Sequence, residues 1–268
     1  MSVADFIRWE LRKVPDRPAQ ARRLAIDKFD RTPHRLHEAA KRWPRPSTQL
    51  VCIYRYSNHG YVEEILHNFE GRTALWALDK PHPALASHTY GSGPGGRFAL
   101  LNILISELPD DGSRLVITDD DVTFAPGSLV TLVKTATHFD IDLAQPAHGP
   151  LSHSSTEFNR FQRGVVGRRT MWVEIGPTLV FSPKARDELL PLPENSMMGW
   201  GHEIVWHQAA KDGLALGVID GVRVRHRGYV AASYDLKEAE AEDARALAKY
   251  EMTSQRDMQI TVSYLAID

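Results

Sequence analysis

The stretch RLVITDDDVTF (114–124) joins an apolar run to three consecutive carboxylates. The run LVIT is typical of a buried strand, and Asp119, Asp120 and Asp121 follow it directly. Like charges repel each other and Asp is depleted in strands, so the three side chains are either solvated in a turn or neutralised by a partner. Carboxylate oxygens are the ligands that Mg²⁺ and Mn²⁺ prefer, and a cation site is therefore the second interpretation.

The same run belongs to a regular alternation of strands and helices. Strands are predicted at LVCIYRYS (50–57), TALWALD (73–79), RLVIT (114–118) and DIDLAQPA (140–147). Helices are predicted at 60–71, after the glycine-rich GSGPGG (91–96), and at 126–139. This alternation predicts an α/β fold, with a mostly parallel central sheet flanked by helices. Ligands bind beyond the carboxyl ends of such strands, where we expect Arg55, Asp79 and the three aspartates to converge.

The second half of the chain differs from the first in composition and in its pattern of predicted elements. Residues 152–169 are polar and rich in Ser, Arg and Gly, which favours a loop over the site. Strand segments are predicted at 171–183, at 214–228 as one strand or a pair, and at 259–267. A turn running into a helix is predicted at 194–213, and a highly charged helix at 234–252.

Composition indicates a single sizeable core. The chain has 268 residues, of which 43% are hydrophobic, and a formal net charge of −2. One cysteine, Cys52, excludes an internal disulfide and any multi-cysteine metal site. No apolar run is long enough to cross a membrane, and the N-terminus lacks the apolar region of a signal peptide. We therefore expect a soluble cytoplasmic protein.

The N-terminal segment is basic. Residues 1–46 hold twelve Lys and Arg against six acids, a balance of +6, and five prolines that predict short helices. Such a segment can contact an anionic membrane, a nucleic acid or an acidic substrate, or form a solvated helical face. The predicted organisation is a basic helical segment (1–46), a domain at 47–232 with halves 47–147 and 148–232, and a charged helix and tail at 233–268.

Several motifs occur in an order that resembles a known family. Asp79 ends a strand, GGRFALLN (95–102) closes the glycine-rich loop, ITDDDV (117–122) ends the next strand, and GWGHE (199–203) precedes a strand that ends at His226. This order resembles the nucleotide-sugar glycosyltransferases of the GT-A fold. Residues 91–122 are similar to the family 2 glycosyltransferases, and VEIGPTLVFSP, GWGHEIVW and GVIDGVRVRH resemble a less characterised GT-A family. The resemblance covers roughly residues 50–228.

The resemblance implies a site for Mn²⁺ or Mg²⁺. In it, Asp121 is the direct metal ligand, His226 is a distant ligand, and Asp119 contacts the ribose or a metal-bound water. A divalent cation would stabilise the diphosphate leaving group as a Lewis acid. Two alternatives for this region stay open: His226 is a surface histidine, or its neighbours Arg225 and Arg227 bind the diphosphate directly.

The resemblance also assigns residues to the nucleotide. Asp79 would bind the nucleobase or ribose, or serve only as a turn residue. Arg97, directly after GPGG (93–96), would meet the nucleotide together with backbone N–H groups. Arg55 and Asp120 are predicted on the same nucleotide side. Asn102, one helical turn after Arg97, either contributes there or only caps and packs.

GWGHE provides the predicted catalytic carboxylate. In an inverting mechanism Glu203 would deprotonate the acceptor hydroxyl, and otherwise it would bind the acceptor. Trp200 stacks on a sugar or packs in the core, Glu174 is a second carboxylate for the acceptor, and Arg168 is an acceptor-binding candidate in the polar loop. The spacing of His202, Glu203 and His207 does not fit a zinc protease, and the stereochemical outcome stays open.

The predicted function is a metal-dependent glycosyltransferase that moves a sugar from a UDP- or GDP-type donor to a hydroxyl acceptor. Two other classes share the sheet: a nucleotidyltransferase, and a catalytically silent nucleotide-binding protein. The acceptor is not identified by the residues. The basic loop and N-terminal segment allow an anionic one, such as a lipid-linked phosphate, an acidic glycan or a hydroxylated base in DNA.

Overall fold

The computed structural model of the protein describes residues 17–194, 199–228 and 236–267. Within these ranges the chain forms one ten-stranded sheet with helices on both faces. The strands are β1 (Thr48–Tyr54), β2 (Arg72–Ala77), β3 (Thr89–Ser92), β4 (Arg114–Asp119), β5 (Val122–Phe124), β6 (Leu143–His148), β7 (Gly167–Thr170), β8 (Thr178–Phe181), β9 (Leu216–His226) and β10 (Thr261–Leu265).

The strand order along the sheet is β10-β7-β9-β6-β8-β4-β1-β2-β3, and β5 pairs with β9. Strands β3, β2, β1 and β4 are parallel neighbours, as are β6 and β9. Strand β8 runs antiparallel to both β4 and β6, so those two run in the same direction. Seven of the ten strands therefore run in one direction, in agreement with the predicted mostly parallel sheet, and the carboxyl ends of β1, β2, β4, β6 and β9 lie at one edge.

The helices cover the two faces because the strands alternate their side chains. In β1, Leu50, Cys52 and Tyr54 pack into one core layer, whereas Val51 packs into the other. The helices are α1 (Arg17–Phe29), α2 (Thr32–Lys41), α3 (His59–His67), α4 (Arg97–Ser106), α5 (Ser128–His138), α6 (Pro183–Leu189), α7 (His202–Lys211) and α8 (Leu236–Lys249). Helices α2, α3 and α5 contribute to the first layer, and α4, α6 and α7 to the second.

The described part of the N-terminal segment consists of the two short helices α1 and α2, which dock on β9. Arg223 of β9 forms ion pairs with Asp27 and Asp30, and Leu36 lies against Gly221. Arg23 also forms an ion pair with Glu157, a residue of the polar loop, at 2.8 Å. These contacts make α1 and α2 part of the folded body. Residues 1–16, which hold Arg8, Arg12 and Lys13, lie outside the described residues, as does the predicted boundary at 232/233.

The structure departs from the strand predictions in the second half. Only Thr178–Phe181 of the predicted strand segment 171–183 is a strand, and residues 174–177 form a loop at the site. Residues 216–226 form one strand rather than a pair. Strand β6 tolerates Pro146 because the register with β9 shifts there, so the missing N–H falls at an irregularity.

Candidate active site

The pairing of β5 with β9 brings His226 to the aspartates at the end of β4. Val122 lies opposite His226 in this antiparallel pair, and the backbone N–H of Arg227 donates to the carbonyl oxygen of Asp121 at 3.0 Å. Nε2 of His226 is consequently 3.3 Å from Oδ1 of Asp121. One ligand atom each from Asp119, Asp121 and His226 lies within 4.8 Å of the other two.

The electrostatics of this cluster favour a cation. Burial would raise the pKa of Asp121, but the hydrogen bond and charge of His226 outweigh it and lower that pKa. Burial would lower the pKa of His226, but Asp121 and Asp119 raise it. Each of the two groups therefore favours the charged form of the other, and a metal ion bound here would take over the electrostatic role of the imidazole proton.

The donor set and the backbone around it fit a divalent ion. Two carboxylates and one imidazole are the ligand chemistry of Mn²⁺, and the carboxylates also suit Mg²⁺. Gly228 passes so close that a Cβ atom there would come within 2.2 Å of Oδ2 of Asp121. Gly228 therefore lies directly against the predicted metal ligands Asp121 and His226. Arg227 lies with its guanidinium 4.8 Å from the ring centroid of Tyr61.

Asp120 points into the protein between its two neighbours. Its carboxylate is buried and accepts hydrogen bonds from the backbone N–H of Arg55 at 2.7 Å and from Nδ2 of Asn58 at 3.0 Å. Burial raises its pKa to about 6. Asp120 thus ties the end of β4 to the end of β1. Because Asp120 is buried, its predicted effect on the nucleotide would be indirect. It would act through the segment after β1 that it anchors, where the Arg55 side chain is 42% exposed.

Arg97 joins the glycine-rich loop to the aspartate cluster. It is the first residue of α4, and its Nη2 donates to Oδ1 of Asp119 at 2.8 Å. Nη1 donates to the carbonyl oxygen of Ile175 at 3.3 Å. Arg97 therefore fixes Asp119 and the loop 174–177 together, beside the site where a diphosphate is predicted. Asn102 donates to the carbonyl oxygen of Leu192 and accepts from its N–H, so it serves the packing role.

Asp79 lies at the end of β2, next to the end of β1. It is exposed, and it accepts the backbone N–H of Tyr56 at 2.9 Å and of Lys80 at 2.8 Å. Nζ of Lys80 lies 4.3 Å from the centroid of the Tyr56 ring. These two hydrogen bonds are typical of a turn residue. The carboxylate still lies after the carboxyl end of β2, at the edge of the sheet where the nucleotide is predicted.

Glu203 lies in the first turn of α7, with 5% of its surface exposed. Its Oε1 accepts the backbone N–H of Ile175 at 3.2 Å, and its Oε2 accepts that of Gly201 at 3.1 Å. Burial raises its pKa to about 8, and the charge of Glu174 contributes to the rise. Trp200 is half-buried in the turn before the helix. The predicted base is therefore a carboxyl group that exchanges its proton close to neutral pH.

Glu174 lies beside Glu203, on the same loop as Ile175. It accepts hydrogen bonds from Nε2 of His148 at 3.2 Å, Oγ of Ser155 at 2.5 Å and Nδ2 of Asn159 at 2.8 Å. Burial would raise its pKa, but these donors lower it to about 2. Glu174 and Glu203 thus form a pair of carboxyl groups with opposite protonation at neutral pH.

The sequence analysis missed the residue that connects this pair to the metal ligands. His148 ends β6, and its Nδ1 bonds with Oγ of Ser152 at 2.7 Å, which accepts the backbone N–H of His226 at 2.8 Å. A chain of contacts therefore runs from His226 through Ser152 and His148 to Glu174. The rule that polar residues end parallel strands applies to His148 as it does to Asp119, and it would have identified this residue.

Arg168 does not belong to the site. The structure buries its side chain completely, in a two-bond ion pair with the equally buried Asp220, at 2.9 and 3.2 Å. A guanidinium without exposed surface cannot bind an acceptor. Most other arginines of the polar loop are also used internally: Arg160 bonds to Glu157 and Ser152, and Arg169 to backbone carbonyls. The loop therefore gives little support to an anionic acceptor.

Comparisons with known proteins define the class of fold. No protein-family model and no curated protein matches the sequence. The structure is similar to that of GalNAc-T7 with UDP, GalNAc and Mn²⁺, at a TM-score of 0.54 and 10% identity over 76% of this chain. It is also similar to S. aureus TarS 1-349 with UDP and with UDP-GlcNAc, each at a TM-score of 0.51 over 80% of this chain, with 11% and 10% identity.

These likenesses show a fold of the GT-A glycosyltransferase type, as the sequence predicted. The chain spans about half of the GalNAc-T7 structure (48%), and 68% and 69% of the two TarS structures. Among the residues that the structure describes, no helix combines the length and the apolar character needed to span a membrane.

Proposed function

We propose that the protein is a metal-dependent glycosyltransferase that takes its sugar from a UDP-type donor. The observation that carries the proposal is the cluster of Asp119, Asp121 and His226 at the carboxyl ends of β4 and β9, in a fold shared with structures that hold UDP. Of those structures, the one of GalNAc-T7 also holds Mn²⁺. The three residues would hold Mn²⁺ or Mg²⁺, which supplies electrostatic stabilisation of a diphosphate leaving group.

The residues around the cluster have defined tasks in this proposal. Arg97 holds Asp119 in place and provides positive charge beside the diphosphate. Asp79 and the segment after β1, which Asp120 anchors, form the wall for the nucleoside. Arg97, Asp79 and the segment after β1 all lie at the edge of the sheet where ligands of parallel α/β folds bind.

We assign the removal of the acceptor proton to Glu203. A general base is most effective when its pKa is close to the working pH, and burial brings that of Glu203 to about 8. The acceptor hydroxyl would take the place of a backbone N–H at one of its oxygens. With Glu203 on the acceptor side, direct attack on the sugar carbon inverts its configuration. Glu174 stays ionised beside it and is placed to bind a second acceptor hydroxyl.

Calorimetric titration of the full chain with UDP and GDP tests the donor site. With Mn²⁺ present we expect binding of UDP, and with EDTA at least tenfold weaker binding, because the diphosphate then faces two carboxylates without a cation. Asp121→Ala should reduce the Mn²⁺-supported affinity by at least tenfold. The matched control is Asp187→Ala, which removes an exposed carboxylate on α6 and should bind UDP as the native chain does.

Three outcomes would contradict parts of this proposal. Equal UDP affinity of the native chain and Asp121→Ala would remove the metal role of the cluster. Absence of binding for both nucleotides in both conditions would refute the glycosyltransferase proposal. A chain that binds UDP with Mn²⁺ but transfers no sugar from a UDP-sugar, to water or to any hydroxyl acceptor offered, would be a nucleotide-binding protein.

A further inference from the structure

We propose that His59, Glu63 and His82 form a second metal site, suited to Zn²⁺ rather than to Mg²⁺ or Mn²⁺. One ligand atom of each residue lies within 4.8 Å of those of the other two. His59 and Glu63 are four residues apart at the start of α3, and so lie on one face of the helix. His82 comes from the segment after β2. This cluster is separate from Asp119, Asp121 and His226, and the inference does not rest on the proposed transferase activity.

The chemistry of the ligands selects the ion. Two imidazole nitrogens and one carboxylate oxygen are a ligand set of zinc sites with an open fourth position, whereas Mg²⁺ takes oxygen ligands. The side chain of Glu63 is 43% exposed and that of His82 is 17% exposed, so an ion has access from solvent. Ligand atoms of a tetrahedral ion with bonds of about 2.0 Å are separated by roughly 3.3 Å. Nδ1 of His82 and Oε1 of Glu63 are 3.9 Å apart, which is close to that spacing.

The hydrogen bonds of the two histidines indicate which nitrogen would bind. Nδ1 of His59 lies 2.9 Å from the carbonyl oxygen of Tyr56, and since a carbonyl only accepts, this nitrogen carries a proton. Nε2 of His59 is then the metal-binding atom, and a backbone carbonyl on the other nitrogen is the usual partner of a metal-bound histidine. Nδ1 of His82 faces Glu63 and accepts a long bond of 3.3 Å from the N–H of Ala84, which a metal ion would replace.

One of the two rings must turn for both histidines to bind one ion. His59 and His82 are stacked, with centroids 3.6 Å apart and an angle of 12° between their planes. A ring nitrogen binds a metal along its lone pair, which lies in the ring plane, so the His82 ring has to rotate out of the stack while His59 keeps its bond to the carbonyl oxygen of Tyr56. This rotation gives up the 3.3 Å bond that His82 accepts from the N–H of Ala84. The stack itself already keeps the two imidazoles adjacent.

Titration with Co²⁺, followed by visible absorption, tests the site on the full chain. Excess Mg²⁺ is added first to saturate the carboxylate cluster. We expect the absorption bands of four-coordinate Co²⁺, and their loss when Zn²⁺ displaces the ion. His59→Gln and His82→Asn should each weaken Co²⁺ binding at least tenfold. His82→Asn keeps a side-chain acceptor for the N–H of Ala84, and His67→Gln, at the exposed end of the same helix, should behave as the native chain.

The readout separates a metal site from a hydrogen-bonded histidine stack. Thermal unfolding without metal should give similar midpoints for all variants. With excess Mg²⁺ already present to fill the carboxylate cluster, Zn²⁺ should raise the midpoint of the native chain and of His67→Gln more than the midpoints of His59→Gln and His82→Asn. Absence of the Co²⁺ bands in the native chain, or equal bands in His59→Gln and His82→Asn, would show that the residues only stack. If a cluster variant has a lower midpoint without metal, Glu63→Gln provides the decisive comparison, because Glu63 makes no part of the stack.

Discussion

Replacement of Glu203 by Gln is expected to slow sugar transfer by at least about 100-fold while it stabilises the fold at alkaline pH. Gln keeps the size of the side chain and an oxygen that accepts one backbone N–H, but it cannot take a proton. General bases contribute about 10²–10⁴-fold to rates, so kcat should fall by at least about 100-fold. UDP affinity should be unchanged, because Glu203 contacts the backbone of Ile175 and Gly201 and not the metal cluster.

The pH dependence of the native enzyme follows from the same carboxyl group. Because the pKa of Glu203 is about 8, roughly a tenth of the molecules carry the ionised base at pH 7. We expect kcat to rise with pH up to about 8 and then to level off. The residual activity of Glu203→Gln should lack this rise. A rise of equal size in both proteins would assign the titration to another group.

The same substitution that lowers activity should raise the unfolding free energy, and increasingly so as the pH rises. Burial raises the folded-state pKa of Glu203 from 4.5 to about 8, so the unfolded chain releases this proton first as the pH increases. The contribution of the protonated group to stability is complete below pH 4.5 and is lost as the pH rises to about 8. Relative to the native chain, Glu203→Gln should therefore gain unfolding free energy between pH 5 and 9, on the order of 5 kcal/mol at most.

Urea unfolding of both proteins at several pH values measures this difference. Glu240→Gln, on the exposed face of α8, is the matched control and should follow the native curve. If Glu203→Gln retains activity, Glu203 positions the loop 174–177 and is not the base. A stability difference that does not change with pH would show that the pKa of Glu203 is not raised in the folded protein. The pKa would then no longer support its role as the general base.

The sequence predicted the parts of the fold that local patterns encode. Strands β1, β2, β4 and β6 are apolar runs, and the helices between them have the expected spacing. Strand β3, Thr89–Ser92, was missed because TYGS is short and carries little apolar surface. Residues 171–177 were predicted as strand because they are mostly apolar, but Glu203 and Arg97 hold Ile175 in a loop through its backbone groups.

The candidate site depends on contacts between distant parts of the chain. The aspartates were singled out by their place after an apolar run, and His226 through the family resemblance. Their proximity comes from the pairing of β5 with β9, about 100 residues later. No local pattern encodes that pairing. The same limitation explains Arg168: an arginine in a polar stretch is expected at the surface, and its partner Asp220 lies 52 residues away in an apolar strand. In the sequence, the isolated Asp220 in the apolar run GVIDGV (217–222) was the one indication of a buried partner for an arginine.

Replacement of Arg168 by Met is expected to be strongly destabilising, because it leaves Asp220 buried without its counter-charge. Both side chains have no exposed surface, and Arg168 also donates to the carbonyl oxygen of Phe158 at 3.0 Å. Breaking a buried ion pair by removing one partner costs about 3–5 kcal/mol. We expect a loss of this size in urea unfolding at pH 7. The loss should be smaller at acidic pH, where Asp220 can take up a proton.

The double variant Arg168→Met with Asp220→Leu distinguishes an unpaired charge from lost packing. Replacing both members of a buried pair by apolar residues of similar volume is often neutral or stabilising, so the double variant should recover most of the stability lost by Arg168→Met. Arg163→Met, an exposed arginine of the same loop, should change stability by less than about 0.5 kcal/mol. Equal instability of the single and double variants would mean that the bonds of Arg168 to the backbone, and not the charge of Asp220, account for the loss. In either case UDP affinity should stay at the native level in variants that fold, because Arg168 serves the core and has no contact with the metal cluster.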